Sequence, residues 1–380
     1  FAAVFRGAAG QGGGLEAALT GFSQVGLVLL LFLIGIEFDF SHIRRQGRPA
    51  AAISLAGVAA PFGLGLALAG AMAPRLESLG AAGPIDPRTF ALFLGTALSI
   101  TAIPILGRIL IEMGLQHTAL GATVIAAAAC DDAVGWTLLA AVSAIAVGDF
   151  QAAAIGRMVG ATLAFVAAML LVVRPLALPL LDRAVVSDEA GRHRLPLGWL
   201  SLLLAGLLLA ALATSQIGIF AIFGAFLLGA ALSGSPRLRE AVAGHLTDFV
   251  TVFFLPIFFT YTGLRTNVGS LGSVEAWLWC GGVFGAAVLG KWGGCGLAAR
   301  LAGMPAREAA CVGVLMNTRA LMELIVVNVG MDLGVIPPAV YCMLVLMAIG
   351  TTLMATPLAT RLLRGTPHEA TVAARGFLRP

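Results

Sequence analysis

Apolar stretches of about 20 residues follow one another along almost the whole chain, and each is long enough to cross a bilayer. They do not alternate with the polar faces that a water-soluble core requires. Hydrophobic residues make up 59% of the 380 positions and charged residues only 11%, against roughly a quarter charged in an ordinary soluble domain. With a mean hydropathy of +0.98, soluble classes are excluded. Lipid offers no hydrogen bonds to an open backbone, so the fold class is an all-α polytopic membrane protein. The 48 glycines, which would weaken helices in water, read here as close helix packing.

Hydropathy, read against charged and Pro/Gly-rich breaks, marks eleven spans, at about 23–40, 49–73, 89–113, 118–147, 153–178, 196–213, 216–234, 246–264, 275–300, 307–330 and 337–363. Arginine then sets the orientation. The loops after the odd-numbered spans and the C-terminal end carry fifteen, namely Arg44, Arg45, Arg48, Arg174, Arg183, Arg192, Arg194, Arg237, Arg239, Arg300, Arg307, Arg361, Arg364, Arg375 and Arg379; the opposite side carries five, Arg6, Arg75, Arg88, Arg157 and Arg265. The positive-inside bias predicts a cytoplasmic C-terminus in a multi-pass inner (plasma) membrane protein and residue 1 outside. An outside start within a loop leads us to expect one further helix before the first span. The net charge of +4 calls for no nucleic-acid partner. The tail at 364–380 is too short for a folded domain, so no nucleotide-binding domain is expected in this chain. The glycine patterns at Gly63 to Gly70 and Gly224 to Gly229 follow no strand, which speaks against a dinucleotide fingerprint. The five cysteines, Cys130, Cys280, Cys295, Cys311 and Cys342, lack ligand-like spacing; they read as free thiols, with no transition-metal site and no cofactor.

Three of the 23 basic residues remain inside spans: Arg108, Arg319 and Lys291, the only lysine of the chain. A lone ammonium in the run Ala286 to Gly294 costs several kcal/mol to desolvate unless it is paired, neutral or beside water. It needs an acidic partner. Asp131, Asp132 and Glu323 are the clearly intramembrane acids, while Glu37, Asp39, Glu112 and Asp248 sit near span ends. Asp131 and Asp132 are adjacent on a long apolar helix and therefore point about 100° apart, one toward a watery cavity and the other toward a neighbouring helix. Two like charges so close in a low dielectric cannot both ionise cheaply, which sets protons and cations in competition for them. A structural ion-pair network is the other reading of the same pair.

Two spans look broken. Ser99 and Thr101 stand just before Pro104 in one, and Asn317, Thr318 and Arg319 interrupt the other; a proline there frees backbone carbonyls at membrane depth. Spans two to four and nine to eleven form equivalent triplets of opposite orientation, the plan of an inverted repeat with discontinuous helices crossing at a midplane site. A pair of ordinary kinks fits as well. Arg319 and Glu323, four residues apart, neutralise each other on one helix face, with Arg108 as a third member of this structural charge network.

The segments from Leu98 to Leu110, Asp131 to Trp136, Phe254 to Phe259 with Gly263 to Thr266, Gly290-Lys291 and Met316 to Val326 together resemble the monovalent cation:proton antiporter superfamily, in the branch of bacterial sodium/proton antiporters, potassium efflux systems and plant cation/proton exchangers. The match runs in order over nearly the full chain. The resemblance implies a homodimer in the lipid bilayer. A core ion-transport domain (49–147 and 275–363) would move against a dimerisation domain with linker helix (1–48 and 148–274) in an elevator-type alternating-access cycle. It implies transport of Na+ or K+ and H+. It makes Asp132 the main cation- and proton-binding carboxylate and Asp131 the partner of Lys291, with Ser99 and Thr101 on the broken helix lining the site. It also implies a helix ahead of the first span. Ala320, where relatives commonly have glycine, and Phe220, where some have histidine, depart from the pattern. A non-enzymatic secondary transporter is thus the leading reading, and a gated monovalent cation channel is the alternative. Lys291 separates the two, because a mobile Asp–Lys pair suits a site occupied at every stage, whereas a channel favours weak, multiple sites. A soluble-ligand symporter lacks a larger polar pocket.

Overall fold

The protein is described by a computed structural model covering residues 12–37, 47–81, 83–116, 118–147, 152–188, 191, 193–218 and 221–374. Phe220, Asp39, Arg6, Arg44, Arg45, Arg192, Arg375 and Arg379 lie outside the described residues. In chain order the helices are α1 (Gly12–Glu37), α2 (Gly47–Met72), α3 (Pro87–Ser99), α4 (Ile103–Glu112), α5 (Ala119–Val147), α6 (Ala152–Ala168), α7 (Arg174–Ala184), α8 (Leu197–Ile217), α9 (Ala221–Leu232), α10 (Pro236–Phe249), α11 (Leu255–Arg265), α12 (Val274–Val288), α13 (Gly294–Leu301), α14 (Ala306–Met316), α15 (Leu321–Asp332), α16 (Pro338–Leu362) and the short α17 (Glu369–Ala374). Three π-turns, Met169–Val173, Val250–Phe254 and Leu289–Gly293, run α6 into α7, α10 into α11 and α12 into α13.

The helical membrane class expected from composition is what the chain adopts. One small departure is an antiparallel pairing of Val186–Ser187 with His193–Arg194, in a polar connection where the backbone needs partners. Among the described residues six helices are long and apolar enough to cross a membrane, or seven if the bent pair α14 and α15 is one span. Fewer helices pass that test than the eleven spans drawn from hydropathy, because some of those spans fall on shorter apolar helices such as Ala221–Leu232 or on the interrupted pair α3 and α4.

The chain folds as two compact units. The first collects the described residues of Phe1–Asp39 and Phe150–Arg265. Its packing rests on backbone contact. A Cβ on Gly35 of α1 would overlap the Phe226 carbonyl oxygen of α9, and a Cβ on Gly229 of α9 would overlap the Phe32 carbonyl oxygen of α1. The two helices therefore meet through reciprocal glycines, with no side chain between them. Gly224 likewise lies against the Ala210 carbonyl of α8.

The second unit collects the described residues of Phe40–Asp149 and Thr266–Pro380. Along α2 the buried positions Ile53, Gly57, Pro61, Gly65 and Ala69 recur every four residues, a stripe of mostly small side chains that admits other backbones. At Gly65 an added Cβ would stand 2.6 Å from the Gly95 Cα of α3. A second added Cβ, on Gly290, would stand 2.6 Å from the Pro61 Cα, which brings the π-turn of Leu289–Gly293 onto α2. Leu106 and Leu110 of α4, Val124 and Ala128 of α5, and Val312 and Leu315 of α14 are fully buried in one apolar cluster.

Two helices in this unit are interrupted. α3 and α4 contain 13 and 10 residues and are separated at Ile100–Ala102; α14 and α15 contain 11 and 12 and are bent by 43°. None of the four reaches the roughly 20 residues a span requires. Pro104 falls in the first turn of α4, where a missing N–H is no loss because first-turn donors lack an intrahelical partner. It therefore starts a helix instead of kinking one. At the far end of α3, Asp86 caps the helix by accepting from the Thr89 amide at 2.9 Å and its hydroxyl at 2.6 Å. Those bonds, the hydroxyl's first, hold the Asp86 carboxyl below its ordinary range.

Gly35→Val is expected to lower the melting temperature and the yield of monodisperse protein, since overpacking of this kind costs typically 1–3 kcal/mol and the clashing atom is a backbone oxygen. Size-exclusion chromatography with a thermal ramp reads the effect; a wild-type melting curve would show that α1 and α9 do not meet at these glycines.

Candidate functional site

The two interruptions meet. Ala102 N–H donates to the Thr318 carbonyl at 3.0 Å, and the Thr101 hydroxyl lies 3.1 Å from the Met316 carbonyl, so each break supplies hydrogen-bond partners for the other. Arg319, 1% exposed, fastens the crossing. Its Nη1 donates to the Ala97 carbonyl at 2.7 Å and its Nη2 to the Leu98 carbonyl, the last turn of α3, whose carbonyls point away from any intrahelical donor. A cation at the C-terminal end of a helix is also favoured by the helix dipole. The same Nη1 lies 3.1 Å from Glu323 Oε2. Thr352 of α16 holds the backbone of Arg319, accepting from its N–H at 3.0 Å and donating to its carbonyl.

Beside this crossing, α5 carries Asp131 and Asp132, 0% and 1% exposed. Lys291, 0% exposed, projects from the π-turn and forms an ion pair with Asp131 Oδ2. The Thr101 hydroxyl stands 2.9 Å from the same oxygen. Thus the first break, through Thr101, and the π-turn, through Lys291, converge on Asp131 of α5. Asp132 is treated differently. Both its oxygens are buried and neither has a hydrogen-bond partner in the protein, and it is the one such carboxylate among the described residues.

The buried charges do not balance. Among the described residues the buried side chains of this unit that carry a charge near neutral pH when exposed are Asp131, Asp132, Glu323, Lys291 and Arg319, three acids against two bases, a net of −1 when all are charged. Lys291 goes with Asp131 and Arg319 with Glu323, so the excess falls on Asp132. An uncompensated carboxylate in a dry interior is costly enough that it takes up a proton or a cation.

The residues expected from the sequence separate accordingly. Asp131, Asp132, Thr101 and Lys291 come together. Ser99 is buried but spends its hydroxyl on backbone, donating to the Gly95 carbonyl at 2.7 Å and lying 3.1 Å from the Val58 carbonyl, the i−4 habit of a serine on a helix. Arg319 and Glu323 pair as expected, but Arg108 does not join them. Arg108 shares the outer face of α4 with Ile111 and Glu112, is 74% exposed, and pairs with Glu112 at 2.8 Å, because Leu106, Ile109 and Leu110 take the inner face. Ala320 has φ −155°, so the position does not require glycine's left-handed freedom.

Sequence reasoning passed over Gly57. A Cβ there would collide with Cys295 Sγ and stand 3.5 Å from Asp131 Oδ2 and 3.7 Å from Lys291 Nζ. Its place on the small stripe of α2, four residues before Pro61, is the signal that would have found it. The carbonyl grip of Arg319 and the backbone clamp of Thr352 carry no sequence signal, since their partners are main-chain atoms.

Crossed helix interruptions around a buried, unbalanced carboxylate pair define an ion-handling membrane protein. The chain belongs to the sodium/hydrogen exchanger family, whose transmembrane profile ("Sodium/hydrogen exchanger, transmembrane") matches residues 4–365. It is 36% identical to the Na(+)/H(+) antiporter NhaS4 of Synechocystis, over 91% of this chain and 82% of that protein. It is 37% identical to cation/H(+) antiporter 20 of Arabidopsis thaliana and 30% identical to K(+)/H(+) antiporter 1 of Saccharomyces cerevisiae, over 89% and 88% of this chain. It spans only 40% and 38% of those two proteins' own lengths.

If Lys291 and Asp131 are mutually dependent, Lys291→Ala and Asp131→Asn each strand a charge, at a cost of roughly 3–5 kcal/mol. Each single variant is expected to melt well below wild type in detergent, and the double variant to recover part of the loss. A double-mutant cycle measures the coupling; strictly additive losses would mean that Lys291 draws on another acid, with Glu323 the next to test.

Proposed function

We propose that the protein exchanges a monovalent cation for protons across a membrane, with Asp132 as the carboxylate that holds either one. The observation that carries this reading is the single unbalanced negative charge at Asp132, beside an acid already matched by Lys291. A proton and a monovalent cation each cancel one charge, so they compete for the same oxygens and cannot both be held at full strength. That competition is the coupling an exchanger needs. Thr101, and Asp131 Oδ1, which has no partner of its own, are further oxygens of the kind a hard cation takes.

Na+ is the first candidate, because the relative matched over most of its length is named for sodium; K+ is the second, because the yeast relative is named for potassium. We assign the crossing helices, with α2, α5, the π-turn helix and α16, to an inverted-repeat transport core. An elevator-type cycle would carry the site across the membrane, in a homodimer of the inner membrane with a cytoplasmic C-terminus. The names of the relatives favour exchange over a gated channel.

Reconstituted into proteoliposomes with a pH dye inside, the wild-type protein is expected to move protons in response to an imposed Na+ or K+ gradient. Silence toward both cations would sink the proposal. Asp132→Asn keeps the shape of the side chain but neither titrates nor balances a cation, so it is expected to lose at least about 100-fold of the flux, in the range of removing a proton-transfer group, while remaining folded. Near-normal flux in that variant would remove Asp132 from the site.

Lys291 adds a second expectation. A cation arriving at Asp132 competes for Asp131 and weakens its hold on the ammonium, so Lys291 releases its proton as the cation binds. A Lys291→Gln variant that still exchanges is therefore expected to move fewer protons per cation, read from the reversal potential in the same vesicles. An unchanged ratio would take Lys291 out of the proton count.

A further inference from the structure

A cleft of about 470 Å³ opens on the second unit between the helix that carries Lys291 and α14. It is within the range of ligand pockets, roughly 300–1,000 Å³. Its walls are apolar, with Leu289, Trp292 and Leu297 on one side and Ala306 and Ala310 on the other, and its one charged lining residue is Arg300. Small residues such as Gly296 and Ala309 hollow it out.

We propose that this cleft binds one anionic phospholipid, acyl chain along the apolar wall and phosphate on Arg300. Length is the first argument. From Leu289 to Arg300 is eleven residue steps, about 16 Å at 1.5 Å per residue, which matches half of a hydrocarbon core roughly 30 Å thick. Charge is the second. Arg300 donates through Nη1 to the Met304 carbonyl at 2.9 Å, leaving the rest of its guanidinium fork for a phosphate. No carboxylate pairs with it among the described residues. Arg307 follows in the next helix and bonds the Arg364 carbonyl, and Arg361 and Arg364 close the same end of α16 as exposed residues. Glu308, facing His368 at 3.9 Å, and Glu369, which accepts from the Gly365 amide at 2.7 Å, are the acids nearby, and the arginines outnumber them. A rim of this kind attracts anionic headgroups.

The occupant would touch the moving part. Leu289 and Trp292 line the cleft on either side of Lys291, which turns the other way into the buried ion pair. A bound lipid therefore braces the π-turn from behind. Its consequence for transport rests on the proposed function, but the binding itself does not.

The test is native mass spectrometry of the detergent-purified protein with phosphatidylglycerol or phosphatidylcholine of identical acyl chains, paired with melting curves. Selective retention of phosphatidylglycerol and a rise in melting temperature are expected for wild type. Arg300→Gln is expected to weaken phosphatidylglycerol about five-fold, the equivalent of about 1 kcal/mol per basic residue at an anionic surface, and to leave phosphatidylcholine unchanged. Ala306→Leu, at an exposed position, is expected to lower retention of both by filling the cleft. Arg75→Gln, an exposed arginine paired with Glu275 at 3.6 Å, is expected to change neither. Equal retention of the two lipids by wild type, or undiminished phosphatidylglycerol binding in both Arg300→Gln and Ala306→Leu, would overturn the proposal. So would a loss of oligomeric mass in Ala306→Leu with lipid binding intact, which would make a second copy of the chain the occupant.

Discussion

Taking a lysine ammonium out of water is the constraint on which the second unit is built. In a dry interior the charge persists only if an opposite charge sits within hydrogen-bond reach and the surrounding polar groups are satisfied. Asp131 supplies the charge and Thr101 completes the same oxygen. To bring them together, α2 must run close enough to the π-turn for Gly290 to rest on Pro61, while Gly57 leaves room for the Cys295 thiol beside the pair. Packing of small residues and placement of charge are therefore one problem here. A larger residue in the α2 stripe would push apart the elements that hold the pair.

The crossing of the two interruptions solves a related problem. A helix that stops at membrane depth exposes carbonyls to a medium without donors. Arg319 answers two of them with one planar group, and the Ala102 amide answers the Thr318 carbonyl of the partner break. Lysine would not substitute, because a single ammonium lacks the fixed fork that spans consecutive carbonyls.

Much of this was legible in the sequence, and the reasons are specific. A solitary lysine, two adjacent aspartates and a hydroxyl-rich run before a proline are conspicuous in an apolar background, since each is costly there without a partner. They led to Asp131, Asp132, Thr101 and Lys291. Hydropathy was a poorer guide to Arg108, because a window average does not say which face of α4 a residue takes; the inner positions went to leucine and isoleucine and the arginine was left outside. Ser99 is hard to read for a different reason. A hydroxyl on a helix has a ready acceptor one turn back, and nothing in the sequence marks whether it uses that acceptor or a ligand. Span counting was coarser still, since a break of three or four residues and a short apolar helix look alike to a sliding window. Main-chain partners, as at Arg319 and Thr352, leave no trace in a string of side chains.

The reciprocal glycines of α1 and α9 lie in the other unit and concern neither charge nor ligand. Side-chain interfaces accommodate stress by changing rotamers, and those alternatives make them compliant. Where two backbones touch directly there are no rotamers to redistribute. The α1–α9 seam can stay shut or come apart as a whole, with no graded response between. Such a joint stores little thermal motion, so amide protons along it should exchange slowly and together, as one cooperative block.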